Sequence, residues 1–318
     1  MSRWLVYCVG SVIFWGIWAI LFSAASSAVS PLVVLVLSTL GLLPVVAGLV
    51  FSKRVRHGTH IKRGIAWGIA TGLAGAIGNV AYSEAILRGG EASVVTPLTA
   101  MYPAVTLIVA VAFLRERVNF VQVGGVLMAL VAIFLFNGTD ASGAVDTSIW
   151  QTSLAAPWMA GALFALALYG VQGIALKLST NHISDELATI CYFVGSAIVT
   201  FLVLATQPID WSMPVETWIL AVGSGVAMGL ALLIGFAAYR GGSASVVTAL
   251  LALYPIVTVL LAIVFLGDQM TIVKALAIGI AVTAGLALAH EGRSGRKEET
   301  VPSGIDLTKN EAVSARNQ

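Results

Sequence analysis

The chain has 318 residues, of which 58% are hydrophobic and 10% are charged, and its formal net charge is +2 at pH 7. Soluble domains usually carry about 25% charged residues, so this composition excludes an ordinary soluble protein. Apolar runs of about 20 residues alternate with short polar breaks, and a helix of that length matches the roughly 30 Å hydrocarbon core of a bilayer. The sequence therefore predicts an integral membrane protein.

Ten apolar runs predict an all-α fold with ten transmembrane helices. In chain order they cover residues 4–26, 31–52, 64–87, 93–114, 118–137, 157–179, 185–206, 217–239, 243–266 and 270–290. The stretch 291–318 is polar and contains Pro302, so it predicts a disordered cytoplasmic tail. No stretch is long enough for a separate soluble domain, which places the function inside the bilayer.

The first apolar run also has features of a secretory signal peptide. Arg3 precedes it, and the small residues 23–28 follow it as in a cleavage site. The run is longer, however, than the apolar core of about 7–15 residues that signal peptides carry. Trp15-Gly16 also aligns with Tyr169-Gly170 at the start of the second half. We therefore expect this helix to remain in the protein.

One segment of the first half recurs in the second half. Residues 88–96 (RGGEASVVT) return at 240–248 (RGGSASVVT), and 17 of the 27 positions in 88–114 are identical in 240–266. Such a repeat predicts two copies of one unit, residues 1–137 and 157–290, joined by a loop at 138–156. We expect each Arg-Gly-Gly to form a tight turn between two helices, with Ser93 and Ser245 as helix caps.

The positions of the 17 Lys and Arg residues predict the orientation of the chain. All but Arg88 and Lys274 fall on one side, so both termini are expected in the cytoplasm. Because each half has five helices, the second copy is then inverted relative to the first. The equivalent helix ends agree, since residues 115–117 (RER) become 267–269 (GDQ). Inverted repeats are characteristic of secondary transporters.

The repeated pattern GGxASVVT…YP…FLx(E/D), together with Tyr169-Gly170 and Lys177, resembles the EamA-domain permeases of the drug/metabolite transporter superfamily. The resemblance extends to about His290 and implies an exporter or exchanger of amino acids, sugars, nucleotide-sugars or other metabolites. Two departures stand out: Ser23 occupies the position equivalent to Lys177, and the second run lacks the arginine that such permeases often carry near Ser38. No substrate role is carried over to those two positions.

Two prolines interrupt equivalent helices, each directly after a tyrosine, at Tyr102-Pro103 and Tyr254-Pro255. A proline leaves the carbonyl four residues earlier without its helical donor, here at Thr99 or Leu251. Inside a bilayer that carbonyl needs another partner or a water-filled cavity. The pair therefore predicts either kinks that line a substrate path or packing kinks satisfied by neighbouring hydroxyls. The earlier Thr96 and Thr248 offer hydroxyls either to a substrate or to their own backbone.

Glycines recur every three to four residues in the third run, from Gly64 to Gly78, and four more glycines lie in the eighth run, from Gly223 to Gly235. This spacing indicates close helix packing. The remaining candidates for the wall of a path between the halves are aromatic or amide side chains: Trp15, Trp18, Asn79, Tyr102, Gln172 and Tyr254. The aromatic content favours a flat or aromatic solute.

Three charged residues lie near the ends of predicted helices. Glu84 and Arg88 have the i, i+4 spacing and order of a helical ion pair, with an outer gate or a coupling carboxylate as the alternative. Lys177 lies 19 residues after Trp158, so it either snorkels to the cytoplasmic face or attracts anions there. No Asp or Glu occupies the middle third of any predicted helix, which favours facilitated diffusion or exchange, or coupling through Glu84 alone.

The sequence contains no catalytic triad, metal-ligand cluster or phosphate-binding loop, and Cys8 and Cys191 lie inside apolar runs. We therefore expect no enzyme activity, no cofactor, no metal and no nucleic-acid partner. The prediction is a multi-pass permease of the inner or plasma membrane that moves a small metabolite by alternating access, in contact with lipid and with a homodimer allowed. The alternatives are proton-coupled drug efflux and a membrane receptor or scaffold that transports nothing.

Overall fold

The computed structural model describes residues 2–90, 92–137, 156–207, 209, 211–266 and 270–289. All the named elements in these ranges are helices, and Gly58 and Ile183 form an isolated antiparallel bridge. Within the described residues, seven helices are long and apolar enough to cross a membrane, and three shorter apolar helices accompany them at Leu98–Leu114, Phe120–Leu135 and Ile272–Leu288. The chain is therefore an all-helical, multi-pass membrane protein.

The first half contains α1 (Arg3–Ser26), α2 (Pro31–Gly41), α3 (Leu43–Val50), α4 (Ile61–Leu87), α5 (Ala92–Ala100), α6 (Tyr102–Val109) and α7 (Phe120–Asn137), with a 3₁₀ turn at Lys53–Arg56 and a π-helical segment at Ala110–Leu114. The second half contains α8 (Pro157–Thr180), α9 (Asp185–Thr206), α10 (Val215–Gly241), α11 (Ala244–Leu251), α12 (Pro255–Leu266) and α13 (Ile272–Leu288). Each predicted apolar run coincides with one of these helices or with a consecutive pair, and the run 93–114 also includes the π-helical segment. The turn 267–269, the tail 291–318 and all of the inter-repeat loop except Ala156 lie outside the described residues.

Several helix starts follow from local sequence. Ser30 accepts a hydrogen bond from the Val33 N–H, and Pro31 occupies the first turn of α2, where a missing N–H costs nothing. Ser184 caps α9 in the same way, and the acidic Asp185 and Glu186 fill the first turn, where they interact favourably with the helix dipole.

The first helix of each half packs against helices of the other half. Helix α1 packs against α10 and α12 of the second half, whereas α8 packs against α4 and α6 of the first half. Ser11 of α1, for example, donates its hydroxyl to the Ala231 carbonyl at 2.8 Å. Helices α7 and α13 also pack against each other. The interior of the molecule therefore lies between the halves, and α1 is an integral part of the bundle.

Glycines mark the closest helix crossings, which confirms the packing predicted from their spacing. A Cβ placed on Gly225 of α10 would lie 2.7 Å from the Cα of Gly41 in α2. The equivalent crossing joins α9 and α4, where a Cβ on Gly195 would lie 3.0 Å from the Cα of Gly72. Both distances are too short for any side chain larger than hydrogen, so glycine allows the backbones to touch.

Candidate functional site

Both Tyr-Pro dipeptides interrupt their helices, as predicted. Helix α5 ends at Ala100, two residues before Tyr102, and the second copy breaks over residues 252–254, between α11 and α12. In the second copy the Tyr254 N–H donates to the Leu251 carbonyl at 3.2 Å. A local turn therefore provides a donor for the carbonyl that Pro255 leaves free.

Each broken helix forms a hydrogen bond with the first helix of the opposite half. Thr106 Oγ1 donates to the Gly170 carbonyl at 2.8 Å, and the equivalent Thr258 Oγ1 donates to the Gly16 carbonyl at 3.4 Å. Each threonine also lies 3.3 Å from the carbonyl of its own tyrosine, Tyr102 or Tyr254. The same contact is thus made twice, with the halves exchanged.

The two earlier threonines meet tyrosines of neighbouring helices. The hydroxyl of Thr96 lies 2.7 Å from that of Tyr82 in α4, and the hydroxyl of Thr248 lies 2.7 Å from that of Tyr239 in α10. Each of these two hydroxyls therefore has a partner on a neighbouring helix. Thr99, by contrast, donates to the Val95 carbonyl of its own helix at 2.9 Å.

Two aromatic clusters flank the breaks. In the first cluster, the ring centroid of Trp18 lies 5.2 Å from Trp15 and 6.3 Å from Tyr254. In the second cluster, the rings of Tyr102 and Tyr169 lie 6.2 Å apart in an edge-to-face arrangement. Within the described ranges, the buried Trp18 Nε1 has no hydrogen-bond partner.

Two amide side chains join the second aromatic cluster. The Tyr169 hydroxyl donates to Asn79 Oδ1 at 2.6 Å. Gln172 lies one turn further along α8 beside Gly75, where an added Cβ would approach its Nε2 to 2.8 Å. The structure therefore brings together the predicted wall residues in two groups: Trp15, Trp18 and Tyr254 with the breaks of the second copy, and Asn79, Tyr102 and Gln172 with those of the first. Tyr169, Thr106 and Thr258 complete the site but were given no role from the sequence.

Glu84 and Arg88 form the predicted ion pair, with Nε and Oε2 3.2 Å apart. The pair borders a cleft of about 330 Å³ between α4 and α8, which Ala81, Ala85, Pro157, Ala160, Gly161 and Phe164 also line. Both side chains are well exposed, at 41% for Glu84 and 63% for Arg88, so the pair stabilises the helix weakly.

Lys177 lies at the opposite turn of the repeat. Its ammonium donates to the carbonyls of Tyr239 and Gly242, both at 2.7 Å. A cation at this place satisfies carbonyls that the end of α10 leaves without donors. Lys177 thus links the C-terminal ends of α8 and α10.

Glu116 is a site residue that the sequence did not reveal. Its carboxylate accepts hydrogen bonds from the Ala244 and Ser245 N–H groups and from the Ser245 hydroxyl, the last at 2.7 Å. Ser245 therefore lies inside α11 and is not its cap; Ser243 holds that position. The equivalent side chain of Ser93 lies outside the described residues. A contact across 129 residues leaves no local signal in the sequence.

Comparison with known proteins agrees with this architecture. A solved structure described as "Crystal structure of protein" superposes with a TM-score of 0.73 at 18% identity, covering 91% of this chain and 97% of that one, so the two share a fold. An "uncharacterized transporter in cobO 3'region" from Sinorhizobium sp is 26% identical over 136 residues, which are 42% of this chain and 96% of that protein. The sequence profile of the EamA-like transporter family matches residues 2–138 and 156–289. The chain belongs to the EamA-like transporter family.

Proposed function

We propose that this protein is a secondary transporter of the inner or plasma membrane that moves a small organic metabolite by alternating access and carries out no catalysis. The observation that carries the proposal is the exchanged contact of the two broken helices, Thr106 with Gly170 and Thr258 with Gly16. Transporters of this kind place their substrate between two repeats, beside discontinuous helices. Each break here lies beside the first helix of the opposite half, which supports the proposal.

The proposed arrangement is two five-helix repeats of inverted topology. Support comes from Glu116, which follows the broken helix of the first copy and contacts Ala244 and Ser245, where the broken helix of the second copy begins. The end of one copy thus lies against the start of the other, as in antiparallel segments. The placement of Lys and Arg supports an orientation with both termini in the cytoplasm.

The proposed solute is a small metabolite such as an amino acid or a related organic compound with a flat apolar part. Its path lies between the two aromatic clusters, where Asn79 and Gln172 offer amide groups and Trp18 offers an indole N–H. These side chains are uncharged. They favour stacking and hydrogen bonding over the recognition of a strong net charge.

The proposed energy source is exchange or a solute gradient. The acidic residue that the sequence offers for coupling is Glu84, which is already paired with Arg88. Transport that is unaffected by collapse of the pH gradient supports this mechanism. Strict proton dependence that persists in Glu84→Gln contradicts it and favours proton-coupled efflux.

Counterflow in proteoliposomes tests the function. Vesicles containing the purified chain are loaded with a metabolite mixture, and uptake of labelled amino acids and related solutes is measured. We expect labelled solute to accumulate transiently, and Tyr102→Ala or Tyr254→Ala to reduce the rate at least tenfold. A matched control is Tyr7→Ala, at an exposed aromatic position of α1. Absence of counterflow for every solute tested contradicts the proposal and favours a receptor or scaffold.

A further inference from the structure

The repeated Arg-Gly-Gly triplet adopts two different conformations. In the first copy α4 ends at Leu87, Gly89 has a positive φ of 95°, and the Gly90 N–H donates to the Ala85 carbonyl five residues back. This is the hydrogen bond of a Schellman motif. In the second copy α10 continues through Gly241, and the Gly242 N–H donates to the Ala238 carbonyl four residues back. The same three residues thus form a tight turn after α4, whereas in the second copy the helix continues through the first two of them.

The packing beneath the two turns is the same. A Cβ on Gly90 would meet the Trp158 ring at 3.1 Å, and a Cβ on Gly242 would meet the ring of the equivalent Trp4 at 3.0 Å. The equivalent tryptophans therefore do not explain the two conformations. The difference lies in what holds each turn.

The second turn is held by two charged side chains that reach it from other helices. Lys177 donates to the Gly242 carbonyl, and Glu116 accepts from Ala244 and Ser245. The two charges also attract each other. Glu116 belongs to the first half and Ser245 to the second, so this contact ties the halves together.

The first turn lacks an equivalent of the lysine that holds the second turn. The position equivalent to Lys177 is Ser23, whose short side chain carries no charge, and the position equivalent to Glu116 is Asp268, which lies outside the described residues. Arg88 at this turn is 63% exposed and borders the open cleft between α4 and α8. The two ends of the molecule are therefore chemically unequal.

We propose that Glu116 and Lys177 form a latch that closes the molecule at residues 240–245 while the Arg88 end stays accessible, and that release of this latch is the step that opens the path to the other side. The inference rests on the transport function proposed above. A contact made in one state and lost in the other shifts the equilibrium by its differential free energy. Because Ser23 replaces the lysine at the other end, the latch biases the resting protein toward this state.

Distances between spin labels in the reconstituted full chain test the latch. Both native cysteines are replaced by alanine, and labels are attached at Arg117→Cys and Asn181→Cys, exposed positions that flank the latch in opposite halves. A second pair, Leu87→Cys and Val215→Cys, lies at exposed positions toward the Arg88 end. Double electron–electron resonance then reports each distance without any need for a solute.

We expect Glu116→Gln and Lys177→Ser each to raise the fraction of long distances across the latch at least threefold, with shorter distances at the Arg88 end. Ser23→Lys adds a latch arm instead of removing one, so it should also shift the population toward closure of the Arg88 end. The control is Arg54→Gln, whose side chain is 80% exposed and which lies outside the latch. Distance distributions that match the control in all three variants overturn the latch.

The same protein distinguishes failure of the latch from failure of the function. Counterflow in the parent protein with unchanged distances in the variants overturns the latch alone. Altered distances without counterflow for any solute overturn the transport function and leave a conformational switch.

Discussion

Thr106 and Gly170 are joined by a hydrogen bond of 2.8 Å, whereas the equivalent Thr258 and Gly16 are 3.4 Å apart. A shorter distance at the first crossing indicates a stronger bond there. The two equivalent crossings are therefore unequal in geometry.

Replacing each of the two threonines by valine should destabilise the protein to a different extent. Valine keeps the branched shape and removes the hydroxyl, and polar contacts between membrane helices contribute about 0.6 kcal/mol on average and up to about 1.7 kcal/mol. We expect Thr106→Val to lower the free energy of unfolding by about 1 kcal/mol and Thr258→Val by less. Thermal unfolding in detergent measures both. Thr283→Val is the control, since Thr283 is exposed and bonds within its own helix; equal effects in all three variants would contradict the prediction.

Alanine at the glycine crossings should destabilise the fold. In Gly225→Ala and Gly72→Ala the new methyl group meets the backbone of the facing helix, and overpacking of this kind costs typically about 1–3 kcal/mol. Gly279→Ala is the matched control, because a Cβ there meets nothing within 4 Å. Unfolding in detergent should show a lower Tm for the first two variants and no loss for the third. Retention of the parental Tm in Gly225→Ala would show that the crossing can separate without cost.

Trp18→Phe tests whether the unpartnered indole N–H serves the solute. Since that N–H has no partner within the described structure, its removal should change the free energy of unfolding by less than about 0.5 kcal/mol. The half-saturation concentration in counterflow should rise about tenfold if the lost contact is worth about 1.4 kcal/mol. Trp67→Phe, at a position 40% exposed, provides the comparison. Unchanged half-saturation in Trp18→Phe would remove Trp18 from the path.

Replacing the equivalent Arg240 and Arg88 by lysine should lower the unfolding free energy by different amounts. Arg240 donates to the Thr180 and Ile183 carbonyls and to the Asp185 carboxylate, all between 2.7 and 3.1 Å. One ammonium cannot reproduce this fork, so Arg240→Lys should cost about 1–2 kcal/mol of unfolding free energy. Arg88→Lys should cost less than about 0.5 kcal/mol, because the ion pair with Glu84 is exposed. Chemical unfolding of the two variants measures both losses of free energy. Equal losses would contradict the prediction.

Local features of the site could be predicted from the sequence. Proline chemistry located both helix breaks, and the i, i+4 spacing located the Glu84–Arg88 pair, since four residues on a helix determine that geometry. Hydropathy located the helices, because their length is set by the bilayer rather than by tertiary contacts. The glycine spacing indicated close crossings, although their partners emerged only with the fold.

Contacts between distant segments could not be predicted. Lys177 and the Gly242 carbonyl are 65 residues apart, and Glu116 and Ser245 are 129 apart. Their meeting depends on where α8 and α11 end in space, which hydropathy does not encode. The tyrosine partners of Thr96 and Thr248 were missed for a similar reason: each threonine faces the preceding helix across a turn, and the two turns differ in length.

The packing of each first helix against the other half affects how the protein assembles in the membrane. Helix α1 is synthesised first, but its neighbours α10 and α12 belong to the second half of the chain. Neither half can bury its first helix alone, so the early helices must remain loosely associated in the bilayer until α10 and α12 have been inserted. The finished protein corresponds to a domain-swapped dimer built within one polypeptide, and its two halves should assemble when they are made as separate chains.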